Sequence, residues 1–201
     1  PVRFMKLLEL VQGPDTDQEA VDTWVDFGTN ALGKGIVFGK DTPNFVANRI
    51  GVYAINKTIQ LMMEGDYSIE EVDAVFGKPM AHPGSAAFKT ADLVGVDTYK
   101  HVSANCYDNL PNDDERPVFQ LPEFIHTMVA NKWLGGKTKG GFYKKDVGPD
   151  GKKVALVLDW KTVSYVPVTK PSFDSVKSTK GVADPGERIR NLLNGDDRAQ
   201  A

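Results

Sequence analysis

Residues 40–66, KDTPNFVANRIGVYAINKTIQLMMEGD, decide how the sequence of 201 residues folds. Thr42 is a capping side chain, and Pro43 suits the first helical position, where its missing N–H costs nothing. From there Phe45, Val52, Ile55, Ile59 and Met62 mark a stripe that runs about five turns to Gly65. Asn48 falls on the same stripe, so an amide sits among apolar residues near the first turn. Two explanations stand: a buried Asn that satisfies a loop backbone, or an amide at the mouth of a cleft that bonds a substrate oxygen.

Upstream the grammar differs. MKLLELV (5–11) is short and apolar enough for a buried strand, QGPDTDQEAVDTWVDFGTNALGKG follows with Asp15 or Thr16 able to cap a helix, and IVFG (36–39) suits a second strand. In that helix Ala20, Val21, Trp24, Val25 and Leu32 keep helical spacing, and Gly33 and Gly35 stop it. Strand, helix, strand is the end of an α/β layer. Glu9 interrupts the first strand with the parity of Met5, Leu7 and Val11, and an unpaired buried carboxylate would cost several kcal/mol. Either it turns to a solvated face, or it orients a catalytic partner.

Downstream the helical pattern continues. Ser68 caps SIEEVDAVFGK with Glu71 at the capping-box position, and Gly77 with Pro79 closes it. After the loop PMAHPGS, the stretch AAFKTADLVGVDTYKHVSANCYDNL reads as helix broken or bent near Gly95, and LPEFIHTMVANKWLG as one more, with Pro122 near its start and Gly135 past its end. KKDVGPDGKKVALVLDW reads as a hairpin, 161–186 has little periodicity, and ERIRNLLNGDDRAQA starts a final helix. The expected fold is mainly α, in three parts: 1–40 ends an α/β domain, 41–143 is an all-helical domain, and 144–201 is a connector leading into a further helical region.

Composition excludes several function classes. A formal charge of -3 and a pI near 5.6 provide no basic surface for nucleic acid. No apolar run approaches the ~18 residues of a membrane span and no signal peptide opens the chain, so a soluble, cytoplasmic protein is expected. The chain does not start with Met and opens inside a structural element, as a piece of a longer protein would. Cys106 cannot form an internal disulfide, and Ala104, Asn105 and Tyr107 offer it no base. His82, His101 and His126 lack the spacing of a metal site and read as solvated or packed side chains. GGKTKGGFYKK (135–145) has Lys137 and Thr138 in phosphate-loop order, but Asn131 stands where that motif needs glycine; it reads as a turn that delivers Phe142 and Tyr143 to the core. No G-x-S-x-G serine motif occurs.

Taken together, PVRFMKLLELV, GKDTPNFVANRI, GKPMAHPG, ADLVGVDTYKHV and GGKTKGGFYKK resemble, in that order, the second half of the 3-hydroxyacyl-CoA dehydrogenases of fatty acid β-oxidation, over residues 1–143. The resemblance implies an all-helical C-terminal domain that completes the active site and forms a homodimer interface, an acyl-CoA substrate, and NAD bound by a preceding α/β domain. Pro1 matches the last residue of the family's His-Phe-Phe-Asn-Pro stretch, which places the catalytic histidine just before this chain. By the same resemblance, Glu9 orients that histidine and Asn48 contacts the reacting substrate oxygen, while Arg49 is structural. No G-x-G-x-x-G follows a strand here, so no dinucleotide site is expected within the chain. The PMAHPGSAAF loop departs from the family in having Ala81 for glycine, and His82 is unexplained. The tail from Val154 is similar to the connector of larger bacterial β-oxidation proteins, where a hydratase or isomerase module follows. The rival to an enzyme is a helical dimerisation module of the same fold without catalysis.

Overall fold

The computed structural model describes residues 4–200; Pro1 lies outside them. β1 (Leu7–Val11) and β2 (Gly35–Gly39) pair in parallel, with Glu9 opposite Val37. Helix α1 (Gln18–Asp26), extended by a π-helical turn over Phe27–Ala31, connects them. Its cap is Asp17, whose carboxylate accepts the Glu19 N–H at 3.0 Å, rather than Asp15 or Thr16; the Thr16 hydroxyl accepts the Gly13 N–H and closes the preceding turn. Only Val21 of the expected α1 stripe is buried, and Trp24 is 54% exposed. Leu7, Val37 and Phe38 of the two strands are exposed as well.

Five helices form the main layer: α2 (Ala47–Glu64), α3 (Ile69–Phe76), α4 (Phe88–Val94), α5 (Val96–Asn109) and α6 (Glu123–Ala130). Ser68 and Glu71 make the expected capping box, at 3.2 and 2.8 Å. Gly95, at φ +100°, separates α4 from α5 where the sequence breaks its pattern. The hairpin forms as read, from β3 (Tyr143–Val147) and β4 (Lys153–Asp159), and β5 (Ser164–Pro167) extends it into a three-stranded antiparallel sheet. Val157 and Leu158 of β4 are buried in the same core as Ile59, Phe88, Tyr99, Ile125 and Phe142. The Trp160 indole N–H donates to the Tyr67 carbonyl at 2.9 Å, fixing the sheet to the start of α3. The short α7 (Asp174–Ser178) and α8 (Pro185–Leu193) follow, and the Arg188 side chain of α8 donates to the Lys78 carbonyl at 2.7 Å. No helix among the described residues is long and apolar enough to cross a membrane.

The start of α2 differs from the sequence reading. Helix begins at Ala47, and Thr42 does not cap it. Residues 42–45 form a turn closed by the Phe45 N–H on the Thr42 carbonyl at 3.0 Å, with Asn44 at φ +62° and Phe45 at φ +52°. Pro followed by Asn suits the central positions of a turn that needs a positive φ at the second, and this turn chemistry outweighs Pro43 as a helix opener. Helical spacing therefore cannot be extended back to Phe45. The buried stripe is Val52, Asn56, Ile59 and Met62, while Phe45 and Asn48 are exposed.

The buried amide of α2 is accordingly Asn56, which the sequence reading missed. It donates to the Ser103 hydroxyl at 2.7 Å and accepts from the Tyr99 hydroxyl, and Ser103 donates onward to the Phe119 carbonyl at 3.1 Å. Removing the amide strands the Tyr99 hydroxyl and leaves Ser103 only its bond to Phe119. Asn56→Ala is expected to cost about 2–4 kcal/mol, visible as a lower urea midpoint at unchanged slope; a loss under about 0.5 kcal/mol would show that the network contributes little.

Two carboxylates, the buried Asp73 and the half-buried Asp92, tie backbone segments to the helical layer. Asp92 accepts the N–H groups of Phe142 and Tyr143 at 2.8 and 2.9 Å. Asp73 accepts those of Ala87 and Phe88, at 3.1 and 2.9 Å, and the Tyr143 hydroxyl at 2.9 Å. The 135–145 stretch is thus the core-delivering turn that its sequence suggests, with Phe142 fully buried. Burial outweighs these hydrogen bonds and pushes Asp92 up to about 6, with the neighbouring Asp73 charge acting in the same direction; Asp73 is raised too, again by burial. A carboxyl that binds its proton more tightly in the folded chain opposes stability once ionised. Stability is therefore expected to rise as pH falls from 7 toward 5, by about 1–2 kcal/mol. It then falls below about pH 4, where Asp113 and Asp197, lowered by the Arg49 and Ser175 side chains, lose their charge. Urea titrations across this range check the prediction, and a monotonic loss from pH 7 downward would contradict it.

Candidate active site

Glu9 leaves β1 toward the N-terminus of α2. Its carboxylate accepts the Ala47 N–H at 2.6 Å through Oε1 and the Val46 N–H at 3.3 Å through Oε2. These are among the orphan donors that open any helix, and the N-cap residue Val46 has no side chain to satisfy them. A strand carboxylate does so instead, with the helix dipole adding to the attraction. Glu9 is half-buried at this junction rather than turned to bulk solvent. Each of its oxygens accepts one N–H and retains a lone pair for another donor.

Asn48 is the next residue after Ala47, so the Glu9 carboxylate bonds the backbone one residue from Asn48, 39 positions away in sequence. Asn48 is exposed, and its amide has no hydrogen-bond partner among the described residues. It does not satisfy a loop backbone, because the turn before α2 closes on its own groups and on Asn44. The Asn44 amide donates to the Val102 carbonyl at 3.0 Å and to Cys106 Sγ at 2.9 Å. Cys106 is fully buried, and burial raises its thiol above the ordinary range. Arg49 pairs with Asp113, a structural contact between α2 and the segment after α5. On that side Phe38, Phe45, Arg49, Ile50, Tyr53 and Phe119 border an open groove of about 560 Å³. Asn48 is not among the lining residues.

No histidine side chain bonds to Glu9 or Asn48 among the described residues. The His82 ring stacks on Phe76 at 4.4 Å between centroids, which gives it a packing role in its loop. Ala81 before it has φ +62°, a backbone that favours glycine. His101 is exposed and His126 half-buried on their helices. Among the described residues no three His, Cys, Asp or Glu side chains converge on a metal-sized site.

A pyrophosphate needs a helix N-terminus with free N–H groups. Several helix N-termini are already capped by the chain's own side chains, whereas those of α5 and α6 have no side-chain cap. Carboxylates or hydroxyls of the chain occupy four: Asp17 at α1, Glu9 at α2, Ser68 at α3 and Asp73 at α4.

Residues 45–145 match the family model described as 3-hydroxyacyl-CoA dehydrogenase, C-terminal domain. A protein named "Probable 3-hydroxyacyl-CoA dehydrogenase" from Bacillus subtilis is 42% identical over 202 residues, covering 99% of this chain and 24% of that protein. The mitochondrial hydroxyacyl-coenzyme A dehydrogenase of Rattus norvegicus is 38% identical over 144 residues, 72% of this chain and 44% of the rat protein. Among solved structures, that of FadB2 from M. tuberculosis superposes with a TM-score of 0.61 at 30% identity, over 72% of this chain and 49% of that one. The chain therefore spans well under half of the length of the Bacillus and rat relatives.

Proposed function

The chain belongs to the 3-hydroxyacyl-CoA dehydrogenase family, whose C-terminal domain it matches, and from this premise we propose that it supplies Glu9 and Asn48 to the active site of such an enzyme. The reaction is oxidation of (3S)-3-hydroxyacyl-CoA to 3-oxoacyl-CoA, within fatty acid β-oxidation, in a soluble cytoplasmic protein. The observation that carries the proposal is the Glu9 carboxylate on the first N–H groups of α2, one residue from the unbonded amide of Asn48.

In this reading a histidine from the part of the parent protein that precedes residue 1 takes the hydroxyl proton. Glu9, held by α2, points its remaining lone pairs at the imidazole N–H, fixes its tautomer and stabilises the imidazolium that forms. The Asn48 amide donates to the substrate oxygen and holds its orientation. NAD supplies the hydride acceptor and is bound by a separate α/β domain. The exposed Leu7, Val37 and Phe38 support such a domain, because parallel sheets are normally covered on both faces and continued at their edges. Alone, the 201 residues should not turn over substrate. A homodimer through the helical layer is part of the same proposal.

Asn48 provides the test. In the full-length parent, Asn48→Ala is expected to lower kcat for acetoacetyl-CoA reduction with NADH by about 100-fold or more, as loss of an oxyanion donor does, with Tm within about 2 °C because the side chain is exposed. Unchanged turnover would remove Asn48 from the chemistry and favour the non-catalytic helical module.

A further inference from the structure

We propose that Asn44 is a positioning residue for this site, an inference that rests on the reading of Glu9 and Asn48 above. Between β2 and α2 the chain crosses seven residues, 40–46, and among the described residues Asn44 is the one whose side chain hydrogen-bonds to the helical core. Its amide donates to the Val102 carbonyl and to Cys106 Sγ, both on α5, whose Tyr99, Ser103 and Cys106 are buried. Its backbone is left-handed at φ +62°, a conformation that Asn accepts more readily than other side chains. One residue therefore does two things: it makes the turn and bolts it to α5.

The bolt bears on the site directly. Two residues after Asn44 the N–H of Val46 meets Glu9, then the N–H of Ala47 does, and then comes Asn48. Glu9 reaches α2 from the sheet side and Asn44 reaches α5 from the core side, so segment 44–48 is clamped between them. With the amide gone, the first turn of α2 would be held on the core side by packing and by the Arg49–Asp113 pair within that turn, leaving the preceding turn at 42–45 without its anchor. A displacement of 1 Å at a reacting centre is enough for a large rate loss, while substrate binding spread over a wide surface changes little.

The experiment is a double-mutant cycle in the full-length parent, assayed by acetoacetyl-CoA reduction with NADH. Asn44→Gly keeps the left-handed backbone and removes the amide. It should lower kcat about 10- to 100-fold while the KM for acetoacetyl-CoA stays within about threefold. In an Asn48→Ala background the same substitution should add less than about threefold, because its effect runs through a side chain no longer present. Asn44→Asp, which keeps size and backbone preference but turns a donor into an acceptor against the Val102 carbonyl, should be at least as slow as Asn44→Gly. Unchanged kcat in Asn44→Gly, or a loss fully additive with Asn48→Ala, would overturn the proposal. If Asn48→Ala slows the enzyme and Asn44→Gly does not, only the role of Asn44 fails; if Asn48→Ala is itself silent, the site reading fails with it.

Discussion

Glu9→Gln in the full-length parent is expected to lower kcat by about three to four orders of magnitude with little change in KM. Gln is nearly isosteric and fits the junction of β1 with α2, so bulk is not the cause. The amide has one acceptor oxygen where the carboxylate has two, and its NH2 cannot accept the N–H that Oε2 or Oε1 now holds. Turned toward the histidine, that NH2 would favour the wrong tautomer and offer no charge to an imidazolium. Turned toward α2, it would leave a helix N–H unpaired. The second choice adds a stability loss of about 1 kcal/mol, the usual worth of a cap. Steady-state kinetics and thermal unfolding of the same variant separate the two effects. A large fall in Tm with turnover intact would make Glu9 a cap alone.

Gly141→Ala is expected to destabilise the helical layer by about 4 kcal/mol or more. A Cβ at this position would lie 2.0 Å from Asp92 Oδ1 and 2.6 Å from the Gly135 Cα, one a half-buried carboxylate and the other backbone, and neither has room to yield. The substitution must push Asp92 off the N–H groups of Phe142 and Tyr143, leaving buried donors unpaired at about 1–3 kcal/mol each, beyond the cost of overpacking. Phe142, whose ring centroid lies 4.8 Å from that of Phe88 at a 50° tilt, would shift with them. Soluble yield and the urea midpoint report the outcome. A variant with native stability would show that the turn relaxes freely and that the Asp92 clamp is dispensable. Gly136→Ala, whose Cβ meets nothing nearer than 3.7 Å, is the matched control and should be near neutral.

What the sequence reveals and what it hides follow from the range of the interactions. The capping box at Ser68, the break at Gly95 and the hairpin about Pro149–Gly151 are local, each set by residues within a few positions of one another, and each forms as read. The start of α2 misleads because two local rules compete at Thr42-Pro43-Asn44-Phe45, and the turn prevails. Its true cap comes from Glu9, 38 positions before Ala47, which no local rule can find. The same holds for Asp92 and Asp73, which read as ordinary helix-surface acids yet bond backbone 50 and 14 residues away. Asn48 keeps helical spacing to Val52 and Ile55 within α2, but the structure leaves it exposed and not on the buried stripe. Its candidacy rests instead on its exposure beside Glu9, and the family resemblance is what singles it out. Asn44 carried a usable signal: an Asn after Pro, ahead of an apolar run, is a residue suited to positive φ.

The most direct test of the account is the pH profile of kcat/KM for 3-hydroxyacyl-CoA oxidation, compared between the full-length parent and its Glu9→Gln variant. If Glu9 is the carboxylate behind a histidine base, removing its charge makes that histidine easier to deprotonate, and the acid limb of the variant's residual activity moves down by about one pH unit. Acid limbs that superimpose would mean that Glu9 does not face the base, and that it serves only to join the strand to the helix.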